Sequence, residues 1–318
     1  MSAGIAEPVS PASGGLKSLL EHTVTDGTVV QQNVSLAELT TLRVGGHADL
    51  YSEPQSQADL SALVNACREQ GLSVTVLGLG SNFLVLDSGV PGLTVRLSAG
   101  VFAGIEADGS RLKCGAAARM KKVAAEARRY RLTGMEFLEG IPGSIGGGLR
   151  MNAGAMGSEL FDVVETVRFM DPAGEVFEMS AESIESMYRS CPLMKNQIAL
   201  GAVLKGEPDT GEAIAARMAE YSQKRWGSQP KARSAGCIFK NPEGIPAGKL
   251  VEELGLKGAT EGGAMVSEEH GNFIINKGDA TAGDILQLID RIREKALSER
   301  GIELQTEVQI IGREDGRV

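Results

Sequence analysis

One stretch constrains this chain more than any other: Glu139-Gly-Ile-Pro-Gly-Ser-Ile-Gly-Gly-Gly148, with five glycines in the nine residues from Gly140 to Gly148. A glycine held in regular structure costs roughly 0.5–1 kcal/mol relative to alanine. A sequence tolerates such a run where backbone must approach something closely, so the loop reads as the wall of a ligand site. Arg150-Met-Asn-Ala-Gly-Ala155 extends the same surface. A shorter run, Gly78-Leu-Gly-Ser-Asn82, follows a β-branched segment at residues 73–77. Glycines there let backbone N–H groups converge on an anion, with Ser81 and Asn82 as additional side-chain donors. Neither run is a P-loop, because no Gly-Lys-Ser/Thr closes it, and neither fits the Gly-x-Gly-x-x-Gly dinucleotide fingerprint after a first strand. Two separate glycine loops point to one elongated ligand lying between them.

Around these loops, helix and strand patterns alternate without a long parallel run, so the fold class is α+β. Ala58, Leu60, Leu63, Val64 and Cys67 recur at helical spacing, and Gly71 ends that helix. Strands are predicted at residues 73–77, 92–97, 111–115, 163–170, 175–179, 198–204, 271–276 and 303–311, from β-branched and apolar runs. Helices are predicted at 117–131, 212–225, 247–254 and 281–300. The last is amphipathic, with Ile285, Leu288, Ile289, Ile292 and Leu297 on one face. Polar breaks divide the chain into units at residues 33–98, 99–211 and 212–318. The Pro, Ser and Gly content of the first residues, within a segment 1–32, reads as a flexible tail.

Composition narrows the function classes. A formal net charge of −9 over 318 residues disfavours nucleic acid as a partner. Cys67, Cys114, Cys191 and Cys237 form no Cys-x-x-Cys pair and there are three histidines, which argues against a metal site. Scattered thiols suit a reducing, cytoplasmic setting. No stretch approaches the roughly 20 apolar residues that span a bilayer, and the N-terminus lacks the pattern of a secretory signal. A small molecule is therefore the expected partner, with no nucleic acid, membrane or obligate protein partner evident.

The motifs carry a resemblance. GLGSNFLV (78–85), GIPGSIGG (140–147) and MNAGAMG (151–157) look like FAD-binding elements of the UDP-N-acetylenolpyruvoylglucosamine reductase family, and TLRVGG (41–46) looks like its entry motif. YRSC (188–191), SAGCIFKNP (234–242), AGKLVEELGLKG (247–258), GAMVSEEHGNFIIN (263–276) and ELQTEVQIIG (303–312) resemble further family motifs, in the right order. Nine motifs in register over residues 33–312 are very specific. The resemblance implies two FAD-binding subdomains of the vanillyl-alcohol-oxidase (PCMH) type and a C-terminal substrate domain. The short passage from Tyr188 to Gly206 resembles the family's shorter subtype. It implies that NADPH reduces FAD and that hydride then passes to an enolpyruvyl ether on a UDP-sugar, leaving enolate character that the protein stabilises and protonates.

On this resemblance FAD is held by Arg43, Gly78, Gly80, Ser81, Asn82, Gly140, Ile141, Pro142, Gly143, Ser144, Gly146, Gly147, Asn152, Ala153 and Gly154. Arg189 matches the family's catalytic arginine, and a guanidinium can hold a carboxylate bidentately. Glu307, in Thr306-Glu-Val308, matches its glutamate, paired with Arg189 or acting as an acid. The family's proton-donating serine is Cys237 here, in the register fixed by Phe239-Lys-Asn-Pro242. An unperturbed thiol, of pKa about 8.5, keeps its proton at neutral pH and releases it more readily than an alcohol. Tyr188, Lys240, Asn241, Lys249 and His270 are candidates for the substrate. Lys257 and Asn272 are weaker ones, and Gln229 serves either a site or a linker. Two rivals differ in class. An oxidase of the same fold would lack these C-terminal motifs and often binds FAD covalently, yet no His lies in 78–157. A flavin-binding protein without catalysis would fit only the serine-to-cysteine change.

Overall fold

A computed structural model describes residues 11–98 and 100–313. Its first sheet has the strand order Val30–Ser35, His47–Ser52, Val90–Arg96, Val74–Leu77, antiparallel at the first pairing and parallel thereafter. The helix Gln57–Glu69 packs on it through Leu60, Leu63, Val64 and Cys67. Ser56 caps that helix, accepting from the Asp59 N–H, and Gly71 at φ +64° supplies the left-handed residue that ends it. The second sheet is wholly antiparallel: Val176–Ser180, Val164–Met170, Ile198–Lys205, Arg111–Gly115, Ile105–Asp108. The third joins Arg233–Ser234, Ile274–Asn276, Ala264–Val266 and Thr260–Glu261, and the helices Ala247–Glu253 and Ala282–Arg300 share its core.

Several elements differ from the sequence reading. Residues 11–32 are not a free tail: Pro11–Glu21 is helical and a strand begins at Val30. Two glycines in that helix hide it from propensity, but burial of Leu20 outweighs them. Residues 1–10 lie outside the described residues. The helix predicted at 117–131 is Met120–Arg129. Leu297 does not join the buried face of the last long helix; it is 57% exposed, and Ala296 takes the inward position. Only Ile274–Asn276 of residues 271–276 is strand, because Gly271–Phe273 turns back, with the Phe273 N–H donating to the His270 carbonyl. Only Gln309–Ile311 of residues 303–311 is strand. It leaves the third unit and pairs, in parallel, with Phe83–Val85, directly after the first glycine loop. The core of the third unit in turn takes in Leu42, Val44 and Leu84 from the first.

The carboxylate of Asp59, 2% exposed, holds the N-terminal segment. It accepts from the Thr25 N–H and from the hydroxyls of Thr25, Thr28 and Ser56, which outweigh burial and hold its carboxyl below the usual range. A depressed pKa means this stabilisation is present above the unfolded carboxyl's pKa and is lost as pH falls through the folded one. Asp59→Ala should lower unfolding free energy by about 1.5–3 kcal/mol at neutral pH in urea titration, and by progressively less towards acid pH. A loss that does not shrink on acidification would contradict this account.

Candidate active site

The two glycine loops meet. Ser81 donates its hydroxyl hydrogen to the Pro142 carbonyl at 2.7 Å, and Asn82 donates from its amide to the Glu307 carbonyl at 3.1 Å. These side-chain donors, expected to face an anion, instead staple the first loop to the second and to the C-terminal segment. Much of the second loop is helix, Ile145–Met151. Gly146 lies where a Cβ would come within 3.0 Å of Ala116 Cβ, so this glycine serves packing between elements as well as access.

Between the loops and the C-terminal unit lies a cavity of about 350 Å³. It is lined by Gly78, Gly80, Ser81, Asn82, Ile141, Pro142, Gly143, Ser144, Gly147, Ala153 and Gly154, and on the other side by Arg189, Cys237 and Glu307. A neighbouring cavity of about 610 Å³ shares Gly78, Phe83, Ser144, Gly147 and Arg150 with it and runs between the first and second sheets. The larger one is lined by none of Arg189, Cys237 and Glu307, which all face the smaller. At Gly147, on both walls, the nearest atom to a built Cβ is Ser144 Oγ at 4.0 Å, so a side chain there would project into open space. Adjoining space walled in part by glycine backbone fits a dinucleotide cofactor such as FAD.

Arg189 sits in the tight turn between Met187 and Ser190, which bond each other through both backbone pairs. Its φ of +56° is rare for a residue with a Cβ and costs conformational energy that the surroundings must offset. Asn152, the left-handed cap of the Ile145–Met151 helix, holds that turn. Its amide donates to the Met187 carbonyl and to Glu159, and its carbonyl oxygen accepts from the Phe161 N–H. Asn152 is thus behind the cavity and engaged internally, not presented to a cofactor. The guanidinium donates from Nε to Glu307 at 3.0 Å and from Nη2 to the Gly154 carbonyl at 3.0 Å, and lies 4.9 Å from the centre of the Tyr188 ring. Tyr188 is 44% exposed, so it is no core packing residue.

Glu307 is set by irregular backbone, its N–H donating to the Ile238 carbonyl at 2.7 Å. Burial pushes its carboxyl above the usual range, against the pull of Arg189 and Lys240. Cys237 is half-buried. Burial first, and then the Glu307 charge, push its thiol up to about 12, although the charges of Arg189 and Arg225 act the other way. The thiol therefore holds its proton more firmly than an unperturbed cysteine does.

Arg43 is exposed and bonds the Glu38 carbonyl at 2.8 Å; Asn241 accepts from the Ala247 N–H; Lys249 is exposed, 3.9 Å from Glu253. His270 packs on Phe273 behind the Cys237 loop. None of these four lines the cavity, and neither does Gly140, whose built Cβ would meet the Arg225 side chain at 3.2 Å. Lys240 is near enough to act on Glu307. Sequence reasoning missed Arg225 and left Gln229 open. Both line the cavity, from the end of helix Gly211–Trp226 and the segment beyond it, and burial lowers the Arg225 guanidinium's pKa.

Comparison with known proteins agrees with this geometry. Residues 229–311 match the UDP-N-acetylenolpyruvoylglucosamine reductase C-terminal domain, and residues 48–180 match an FAD binding domain. The UDP-N-acetylenolpyruvoylglucosamine reductases of Methylorubrum extorquens and Paramagnetospirillum magneticum are 44% and 45% identical, over 88% and 87% of this chain and 91% and 90% of theirs. The chain belongs to the UDP-N-acetylenolpyruvoylglucosamine reductase family. It is an oxidoreductase with the two-subdomain FAD-binding fold, α+β throughout. The crystal structure of the Thermus caldophilus enzyme superposes with a TM-score of 0.79 at 38% identity, over 90% of this chain and all of that one. Among the described residues no helix is long and apolar enough to cross a membrane.

The raised thiol has a direct readout. Alkylation of Cys237 by iodoacetamide, followed by peptide mass spectrometry, should keep accelerating with pH beyond ~9, where an unperturbed thiol levels off. Glu307→Gln should make it faster by removing the opposing charge. A plateau near pH ~9 would show an ordinary thiol.

Proposed function

We propose that the enzyme carries out the NADPH-dependent, FAD-mediated reduction of UDP-N-acetylglucosamine enolpyruvate to UDP-N-acetylmuramate in the cytoplasm, a step towards peptidoglycan. The observation that carries this reading is the convergence of Arg189, Cys237 and Glu307 on one cavity walled by both glycine loops. The relatives' names support the substrate assignment. In this reading residues 33–98 and 99–211 hold FAD between Gly78–Asn82, Ile141–Ser144, Gly147, Ala153 and Gly154, while residues 212–318 cover the substrate. When bound, FAD supplies the hydride, taken from NADPH, for the enolpyruvyl methylene carbon.

The protein's share follows from its own groups. Arg189 has two of its five N–H donors committed, to Glu307 and Gly154, and the rest serve the substrate carboxylate and the charge that grows on it. Glu307 holds that guanidinium at its angle through the 3.0 Å bond from Arg189 Nε. Cys237 gives its proton to the carbon beside the carboxylate. Arg225 on the cavity wall and Lys240 near Glu307 supply cationic donors for the diphosphate end of the substrate, with Tyr188 beside Arg189.

The test is anaerobic. Yellow enzyme bleached by NADPH should regain its colour on addition of UDP-N-acetylglucosamine enolpyruvate. Cys237→Ala should slow that recovery by about 10²–10⁴-fold, the range for removal of a general acid, while Cys237→Ser keeps much of it. Recovery in the alanine variant at the unaltered rate would remove Cys237 from the mechanism. Bleaching without any recovery in the unmodified enzyme would sink the substrate assignment.

A further inference from the structure

We propose that Arg150 is a cofactor-selecting residue: its guanidinium stands where the two cavities join and takes the diphosphate of FAD, so that the site prefers the dinucleotide to a bare flavin. This rests on FAD occupying both cavities, in keeping with the function proposed above. The flavin ring has to lie beside Arg189, Cys237 and Glu307, which line the smaller cavity. The adenosine end then extends into the adjoining larger one, and the diphosphate between them falls at the junction.

Five residues line both cavities: Gly78, Phe83, Ser144, Gly147 and Arg150. Arg150 alone among these five carries a charge. Among the described residues no Asp or Glu lines the larger cavity, and Glu307 is the one carboxylate on the smaller. The guanidinium is half-buried and fixed from two sides. Arg150 stands in the last turn of the helix Ile145–Met151, and its backbone carbonyl accepts from the Cys191 N–H at 3.1 Å. Its Nη1 donates to the carbonyls of Met194 and Lys195, each at 3.0 Å. Met194 and Lys195 themselves line the larger cavity, so the side chain is held at its wall.

Those two bonds engage one nitrogen of the fork. Among the described residues Nε and Nη2 bond no protein group, and both partners of Nη1 are neutral. A guanidinium presents five N–H donors in one plane, and two adjacent nitrogens match a pair of phosphate oxygens. Burial pulls down the pKa of this guanidinium, with no carboxylate near enough to oppose the effect. A cation kept half out of water costs free energy that two neutral carbonyls offset poorly, whereas an anionic ligand would offset it well. The other cations on the walls are less suited. Arg68 and Lys195 line the larger cavity but are exposed, where water screens them. Arg189, on the smaller, is already paired with Glu307.

The experiment separates diphosphate binding from simple support of the Leu193–Lys195 turn. Holoenzyme is equilibrated with an excess of FAD and riboflavin over a series of ratios, and the flavins bound to the washed protein are resolved by chromatography. Riboflavin has the same ring but no phosphate. Arg150→Met should shift the partition from FAD towards riboflavin by about 10- to 100-fold, the range for losing a hydrogen bond between charged groups. A residue that merely braced the turn would weaken both flavins alike, so an unchanged partition would overturn the proposal. Should the methionine variant not fold, Arg150→Lys keeps the charge without the fork. It should shift the partition in the same direction by about threefold or more, and no shift there would equally overturn the proposal. If the unaltered enzyme takes up riboflavin as readily as FAD, FAD does not span both cavities, and that premise has failed independently of anything seen at Arg150.

Discussion

The parallel pairing of Gln309–Ile311 with Phe83–Val85 is the constraint on which the site depends. It brings the end of the chain back to the strand that follows the first glycine loop. Asn82 then bonds the segment twice, its carbonyl accepting from the Gln309 N–H and its amide donating to the Glu307 carbonyl. Glu307 is thereby carried to within 3.0 Å of Arg189, which belongs to the second unit, and its N–H bonds the carbonyl of Ile238, next to the thiol. Three units thus meet at one residue. A short parallel pair would be weak alone; here it gains from Leu42, Val44 and Leu84, which bury themselves in the core of the third unit.

The same convergence sets the electrostatics. A carboxyl raised by burial, a thiol at about 12 and two guanidiniums share a small cavity. Burial favours the neutral form of both acids, and each acid's charge would raise the other. The thiol therefore holds its proton more firmly than an unperturbed cysteine, and in the proposed role of proton donor its release requires stabilisation at the sulfur. A serine in that position would face the same requirement more severely, since an alcohol is far less acidic. Substitution by cysteine consequently shifts the difficulty from releasing the proton to keeping the site compact around a larger atom. The rigid loop 237–239, bonded to both backbone and side chain of Asn272, meets that need.

Much of this was legible in the sequence, for identifiable reasons. Local periodicity located the helices Gln57–Glu69 and Ala282–Arg300, whose caps and buried faces are written within a few residues. Leu297 misled because an ideal face drifts around a helix, and one residue of drift moves a side chain to solvent. The glycine loops marked the cavity. The partners of Ser81, Asn82 and Asn152 could not be read, since they lie 61, 225 and 35 residues away. Arg225 looked like an ordinary basic residue in a helix's last turn, where cations are common. Only the packing of that helix end against the cavity reveals a half-buried guanidinium. Glu307 was found by motif, not by pattern, because its segment has no regular secondary structure to announce it.

Strain at Arg189 follows from the same geometry. A left-handed arginine is unfavourable on its own, and the Met187–Ser190 turn cannot relax it without withdrawing the guanidinium from Glu307 and Gly154. Asn152 supplies the restraint: itself left-handed, a conformation asparagine tolerates, it ends the glycine helix and grips the Met187 carbonyl. The end of the glycine-loop helix and the start of the arginine turn are thus coupled through one amide. The glycine loop therefore does more than leave room for a cofactor. It fixes the angle at which the guanidinium enters the cavity, so a change in how the loop sits must be felt at the group that would bind the substrate carboxylate.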